Sequence, residues 1–207
     1  MIVSEFWKYS LRARSLCLGE RNKKGTYRGT ITTCIPYSQI SGALRALYGT
    51  REVAGQLHAV GVLHRFKQTR IVQGRRDRML GLSTLPIEVD ILTDVEATVY
   101  IVYNDHTRDL PSQFKISLGA LRSRGLGACT LKRQAECPPM PGGPPRQGRL
   151  AVRLPDADEV LAAFGIEEVV MPLWGYLFQP DEHRESGLYV RALFEGSIVR
   201  GPAFLLA

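Results

Sequence analysis

Ile35-Pro36-Tyr37-Ser38-Gln39-Ile40-Ser41-Gly42-Ala43-Leu44-Arg45-Ala46-Leu47-Tyr48-Gly49 is the stretch on which the reading of the fold turns. Ile40, Ala43, Leu44 and Leu47 recur at helical spacing, so one face of a helix over Gln39 to Tyr48 is expected to meet a core. Ser38 stands where an N-cap is wanted, and Gly49 closes the segment. On the N-terminal side, Trp7, Tyr9, Leu11 and Ala13 alternate with Lys8, Ser10 and Arg12. That is the period of a strand with one buried and one wet face. Between the two lies a polar, basic, glycine-punctuated loop, Glu20 to Gly29.

On the C-terminal side, residues 60–86 carry His64, Arg65, Lys67, Arg70, Arg75, Arg76 and Arg78 around Gln73-Gly74 and read as a long basic hairpin. Val95 to Tyr103 is strongly β-prone and apolar on both faces near its end, as a central strand would be. Leu110 to Leu121 is expected to be a second helix, interrupted at Gly119. Gly125-Leu126-Gly127 then turns into a strand over Ala128 to Arg133. Strand, helix, hairpin, strand, helix, glycine loop and strand make an α+β fold, a ferredoxin-like (RRM-like) βαββαβ unit over 1–135. Its antiparallel sheet is expected to have helices on one face and to leave the other free.

Residues 136–149 hold the Cys137 to Gly148 run of five prolines and three glycines, expected to be a linker or exposed loop. Beyond it, 150–207 reads as a smaller β-rich extension: a strand over Leu150 to Leu154, a capped acidic helix from Asp156 to Phe164, then β-rich Glu168 to Phe178 and Leu188 to Val199. Charge divides along the same line. Residues 1–153 carry 24 Lys and Arg against 11 Asp and Glu, a balance of +13, and 154–207 carry 3 against 9, a balance of −6; together they make the net +7. A concentrated basic surface attracts polyanions by counterion release. The acidic extension, with Trp174, Tyr176 and Phe178, is the natural surface for a neighbouring protein subunit.

The four cysteines, Cys17, Cys34, Cys129 and Cys137, form no C-x-x-C pair and are expected to be free thiols, with no metal and no cofactor. No apolar run reaches the roughly 18 to 20 residues that span a bilayer. The N-terminus has Glu5 where a secretion signal is basic, so the chain reads as cytoplasmic and free of membrane.

Residues 35–45 and Leu118-Gly119-Ala120-Leu121-Arg122-Ser123-Arg124-Gly125-Leu126-Gly127 together resemble the two signatures of the RAMP superfamily of CRISPR-associated proteins. Its first helix opens as I-P-x-S-x-x-x-G-x-x-R, and its glycine-rich loop reads R-S-R-G-x-G before a strand. The resemblance covers about residues 1 to 135 and implies a guide-RNA-binding protein with a thumb hairpin between the second and third strands. The residues expected at RNA are Ser38, Gly42 and Arg45 on the helix, His64, Arg65, Lys67, Arg70, Arg75, Arg76 and Arg78 on the thumb, and Gly119, Arg122, Ser123, Arg124, Gly125 and Gly127 in the loop. Glycines let backbone approach phosphate, and arginines offer forked donors and flat faces. Phe66 and Met79 are expected to press on an unstacked base.

Among RAMP subunits, one that cleaves the target is expected to carry an aspartate before the first helix, but residues 21–37 contain no acid. The resemblance then implies a non-catalytic subunit capping the 5′ handle of the guide, most like that of type IV systems, with backbone RAMP subunits and a large subunit as partners. A metal-independent endoribonuclease that processes precursor RNA is the alternative, with His58, His64, Tyr27, Tyr37 and Lys67 as its candidate groups.

Overall fold

The alternation at the N-terminus extends through Arg14, and Glu5–Leu16 forms one strand, β1, whose Trp7, Tyr9, Leu11 and Ala13 are buried. The computed structural model describes residues 4–19, 27–49, 53–74, 86–134, 139–180 and 187–207. Two short strands follow, β2 (Tyr27–Arg28) and β3 (Cys34–Ile35), then helix α1 (Tyr37–Tyr48). Strands β4 (Ala59–Gln73) and β5 (Ile87–Val102) form a long hairpin, joined by an antiparallel register from Ala59↔Ile101 to Gln73↔Ile87; its returning arm takes in the strand expected at Val95 and lies beyond the hairpin expected over 60–86, whose residues 75–85 fall outside the described residues. Strand β1 pairs with the other edge of β5, also antiparallel. Thus α1 links two strands that run the same way with an opposed strand between them, a split β-α-β arrangement.

A second helix over Leu110 to Leu121 does not form. Gln113–Ser117 is a strand, β6, with Phe114 and Ile116 buried and Gln113, Lys115 and Ser117 exposed. Strict alternation over five residues suits a pleat, and a helix would scatter these side chains around its axis. Strand β6 pairs with β7 (Ala128–Arg133), the strand expected there, and the order becomes β3-β4-β5-β1-β7-β6, with β2 beside β5. One consequence falls on Leu47, expected in the core but 50% exposed: the helix expected at 110–121 is not there to cover it.

Ile40, Ala43 and Leu44 pack on Tyr9, Leu11, Val99 and Leu131 in the core between helix and sheet. Ser41 Oγ accepts the Ala59 amide at 2.8 Å and donates to the Ala59 carbonyl at 3.1 Å, fastening α1 to the start of β4. Arg133 lies 3.9 Å from the Trp7 ring centre and donates to the Tyr9 hydroxyl, so this cation is part of the packing.

The Pro/Gly-rich run is not wholly irregular. Met140–Pro141 (β8) pairs with the start of β1, and Arg146–Arg149 (β9) joins a three-stranded sheet. The C-terminal part continues with β10 (Leu154–Pro155), α2 (Asp158–Ala163), β11 (Glu168–Met171), β12 (Trp174–Pro180), β13 (Gly187–Leu193) and β14 (Ile198–Gly201). Its sheets have the orders β10-β13-β12 and β11-β14-β9. Between Leu150 and Leu154, only a single bridge, Leu150 to Leu206, and the first residue of β10 are β-structure. Asp156 does not cap α2, whose N-cap is Ala157; its carboxylate accepts from Arg191 Nε at 2.7 Å.

The face of the main sheet away from α1 is only partly free. Phe6, Val60, Tyr100 and Val102 on that face share a core with Leu150, Val152, Leu154, Phe164 and Leu205. Phe6 meets Phe204 edge-on at 4.8 Å, and Tyr100 lies 4.3 Å from Phe204. The apolar residues at the start of β1 and the end of β5 draw the C-terminal part onto this end, since exposing a ring such as Phe6 would forfeit about 3 kcal/mol or more. From Ser10 to Arg14 the same face is open. Among the described residues, no helix is long and apolar enough to cross a membrane, and no group of three or more His, Cys, Asp or Glu is placed to hold a metal ion.

Candidate nucleic-acid interface

The glycine-rich turn closes on the end of β1. The Gly127 amide donates to the Ser15 carbonyl at 2.9 Å, Ala120 to Cys17 at 2.8 Å, and Leu118 to Gly127 at 2.8 Å. At its crest Arg122–Arg124 makes one 3₁₀ turn, flanked by the left-handed residues Leu121 (φ 58°) and Gly125 (φ 85°). A non-glycine residue held at that φ costs about 1 kcal/mol or more, which the three anchoring bonds offset. Arg122, Ser123, Arg124 and Gly125 are exposed, and neither arginine has an acid partner among the described residues.

The glycines divide into two kinds. A Cβ at Gly119 (φ 75°) would stand 2.2 Å from the Cys17 carbonyl oxygen, and one at Gly127 (φ 88°) 2.2 Å from that of Leu118. These two fit the turn against its own chain, contrary to the expectation that they face RNA. Gly125 has nothing within 4 Å of a Cβ and is the glycine that leaves backbone bare to solvent. Gly42 on α1 is likewise open and does not press the helix onto the sheet.

Ser38 is not the N-cap. Pro36, with φ −59° and ψ 147°, occupies that place; its carbonyl accepts the amides of Gln39 and Ile40, and Ser38 sits half-buried inside the first turn. The residue that joins α1 to the glycine turn is Gln39, which the sequence did not single out. Its Nε2 donates to the Leu18 carbonyl at 2.9 Å, while Oε1 is buried beside Gly119 without a partner among the described residues.

Arg45 turns back along the helix. Its Nη2 donates to the Tyr37 hydroxyl at 2.8 Å, and that hydroxyl lies 2.7 Å from His58 Nδ1. With the guanidinium donating to the phenol oxygen, the phenol proton is available for the imidazole. Burial, then the Arg45 charge, pushes the His58 pKa down, and burial pushes that of Tyr37 up. His58 is therefore a buried, neutral ring. Arg45 is thus engaged by Tyr37 through Nη2, and its Nε is buried without a partner among the described residues.

On the hairpin, Lys67 is paired with Asp94 at 3.0 Å, and Arg70 with Asp90 at 2.9 Å and Glu88 at 3.2 Å while lying over the Tyr27 ring. These two expected contacts are thus held by acids of their own chain. His64 is exposed, with Nε2 2.7 Å from Thr98 Oγ1, and Arg65 is exposed opposite Glu96. Phe66 packs against the core and is not a free stacking platform. Arg75, Arg76, Arg78 and Met79 lie outside the described residues. The last paired residues of the hairpin, Gln73 and Ile87, lie beyond the end of β1, at the end of the sheet where the glycine turn is anchored.

Three features were not legible as a site from sequence. A groove of about 520 Å³ runs between α1 and the β6–β7 edge, lined by Ala43, Ala46, Leu47, Ile116 and Cys129 with Arg122 at its rim; it occupies the space where the second helix was expected. Arg12 of β1 was read only as part of a wet face and Arg14 was not singled out, though the strand period itself was the signal that aligns them. In the C-terminal part, Trp174, Tyr176 and Tyr189 are about half exposed or more, with Arg191 over the Trp174 ring at 4.5 Å.

No family model matches the chain, and no curated protein matches it in sequence. Solved structures do. A chain in the cryo-EM structure of the Type III-B Cmr-beta bound to cognate target RNA superposes with a TM-score of 0.62 at 10% identity, covering 93% of this chain and 86% of that one. The form that also holds AMPPnP gives 0.61 at the same identity and coverage. A chain of a CRISPR RNA-guided surveillance complex aligns over 98% of this chain at 15% identity with a TM-score of 0.46. At 10% identity the likeness is one of fold, and it spans nearly the whole chain.

Proposed function

We propose that the protein is a RAMP-type, CRISPR-associated subunit that binds guide RNA and caps its 5′ handle within a type IV-like effector complex, without cutting it. Its main sheet reads as a ferredoxin-like unit in which β6 replaces the second helix. The observation that carries this reading is the turn at Arg122–Gly125: two arginines and a bare glycine backbone, exposed, with no acid partner among the described residues, and held on the end of β1 by its inner glycines. Such a turn presents forked donors to phosphates and flat faces to bases without having to order itself first. The fold shared with a chain of an RNA-bound Cmr-beta complex supports it. Backbone RAMP subunits and a large subunit are the partners implied, and the exposed aromatic face of β12 and β13 offers them Trp, Tyr and Arg, the residue types that dominate protein interfaces.

Titration of the full chain with a repeat-derived handle RNA and a scrambled RNA at matched salt tests the reading. The handle should bind more tightly, and Arg122→Ala with Arg124→Ala should weaken it by about 1 to 3 kcal/mol in total with the melting temperature unchanged. Equal affinity for both RNAs removes the capping function.

A further inference from the structure

Cross-strand partners stand on the same face of a sheet. On the open face, Arg65 is opposite Glu96, Glu96 opposite Arg12, Arg12 opposite Thr130 and Thr130 opposite Lys115. This row crosses five strands, roughly 19 Å at about 4.8 Å per strand. The adjoining row runs Thr98, Ser10, Lys132 and Gln113. Arg14, two residues beyond Arg12 and about 7 Å away, carries the charge toward the glycine turn, which is bonded to Ser15 and Cys17.

Five cations here stand with one acid in the rows, Glu96; Asp94, which the register places beside Arg14, is held by Lys67. Arg12 lies 3.5 Å from Glu96 with both exposed, and such a pair is worth little. Arg14, Arg65, Lys115 and Lys132 are exposed or nearly so, with no acid partner among the described residues. Elsewhere Lys67, Arg70, Arg108, Arg191 and Arg200 each have a carboxylate. The largest group of exposed cations without an acid partner among the described residues stands where the sheet is bare, between the C-terminal part at Phe6 and the hairpin; Arg122 and Arg124 in the glycine turn and Arg146 and Arg149 in β9 are further such cations.

The rows contain no Phe, Tyr or Trp, and the nearest ring is the exposed His64 imidazole bonded to Thr98, so charge and not base stacking dominates the face. Neighbouring cations are about 7 Å apart along β1 and on the diagonal from Arg12 to Lys132. They form one patch, not two lines separated by the roughly 12 Å of a duplex major groove. We infer that this face is a second nucleic-acid site, a shelf that holds the phosphate backbone of a single strand regardless of sequence. A strand leaving the glycine turn would run over Arg14 and Arg12 toward Lys132. The shelf stands on the register of the sheet and does not depend on handle recognition.

The test is a salt titration of an oligouridylate, which has no handle sequence, against wild type and a variant carrying Arg12→Gln, Arg14→Gln, Lys115→Gln and Lys132→Gln. Each phosphate contact on a single strand contributes about 0.7 to the slope of log affinity against log salt, so four should lower it by about 2.8. Low-salt affinity should fall on the order of tenfold or more. An unchanged slope in a variant that melts like wild type overturns the shelf. Should the fourfold variant not fold, Arg14→Gln with Lys132→Gln alone should lower the slope by about 1.4, and no change there overturns it equally. An equal loss on a blunt duplex refutes the single-strand preference. A lowered slope with no preference for handle RNA keeps the shelf and removes capping; an unchanged slope with that preference does the reverse.

Discussion

Gly125→Ala and Gly127→Ala add the same methyl group to the same turn, two residues apart, at nearly the same φ. The residues differ in what surrounds them. Both changes place an alanine in the left-handed region, which costs about 1 to 2 kcal/mol. At Gly125 that is the whole cost, because nothing lies within 4 Å of the new carbon. At Gly127 the methyl would stand 2.2 Å from the Leu118 carbonyl oxygen, and the amide of Leu118 is bonded to the Gly127 carbonyl, so neither side can withdraw without breaking the anchor of the turn. Overlap with backbone and loss of a hydrogen bond bring the total to about 3 kcal/mol or more. In a chain of this length about 1 kcal/mol moves the melting temperature by roughly 2 to 4 °C. Thermal melts followed by circular dichroism should therefore show Gly125→Ala roughly 2 to 8 °C below wild type and Gly127→Ala lower still, roughly 6 to 12 °C or more below it. Melting temperatures that coincide within a degree or two would mean that the glycines are not divided into inward and outward kinds, and the rigid presentation of Arg122 and Arg124 would lose its basis.

Other expectations follow from single contacts. Ser38→Ala should cost less than about 0.5 kcal/mol by urea melts, because Pro36 and not Ser38 caps α1; a loss near 1 kcal/mol would restore the serine as cap. Burial alone would raise the Glu195 pKa, but hydrogen bonds from Arg153 at 2.6 and 2.7 Å and from Thr33 outweigh it and hold the carboxyl at about 2, below the ordinary 4.5. Its contribution to stability is then complete above pH 4.5 and lost as the pH falls toward 2; melts across that window should flatten in Glu195→Gln, and an unaltered slope would place the acid sensitivity elsewhere. Burial pushes Cys34 up to about 11 and Cys129 up to about 12, so neither should react with a thiol reagent at pH 7 until the protein is denatured, as peptide mapping by mass spectrometry would show. Precursor RNA should stay uncut by wild type, His58→Ala and His64→Ala; cleavage by wild type that His64→Ala abolishes would favour the endoribonuclease.

How far the site can be read from the chain depends on how local each cause is. Trp7 to Ala13, Ile40 to Leu44 and the β-prone run at Val95 announce their elements because a period of 2 or 3.6 is written in neighbouring residues, and the long basic hairpin between them follows from length and charge. Phe114 and Ile116 carried the same kind of signal for β6. It was outweighed by the expectation of a helix, although alternation over so short a run is weak evidence in either direction. Capping misled at Ser38 because a proline before it had already supplied the first carbonyl of the helix.

The chain by itself determined the alternation of β1, a helix read at 39–48, a long basic stretch at 60–86, the segregation of positive charge from the acidic C-terminal part, and the glycine-arginine motif at 119–127, all properties of residues adjacent in sequence. Only the tertiary structure decided which glycines face inward, that Lys67, Arg70 and Arg45 are engaged by their own chain, that the C-terminal part covers one end of the sheet at Phe6, and that Arg12, Lys115 and Arg65 stand in one row. Those facts depend on strand register and on contacts between residues up to about 200 positions apart, set by which apolar surfaces meet and not by any local pattern.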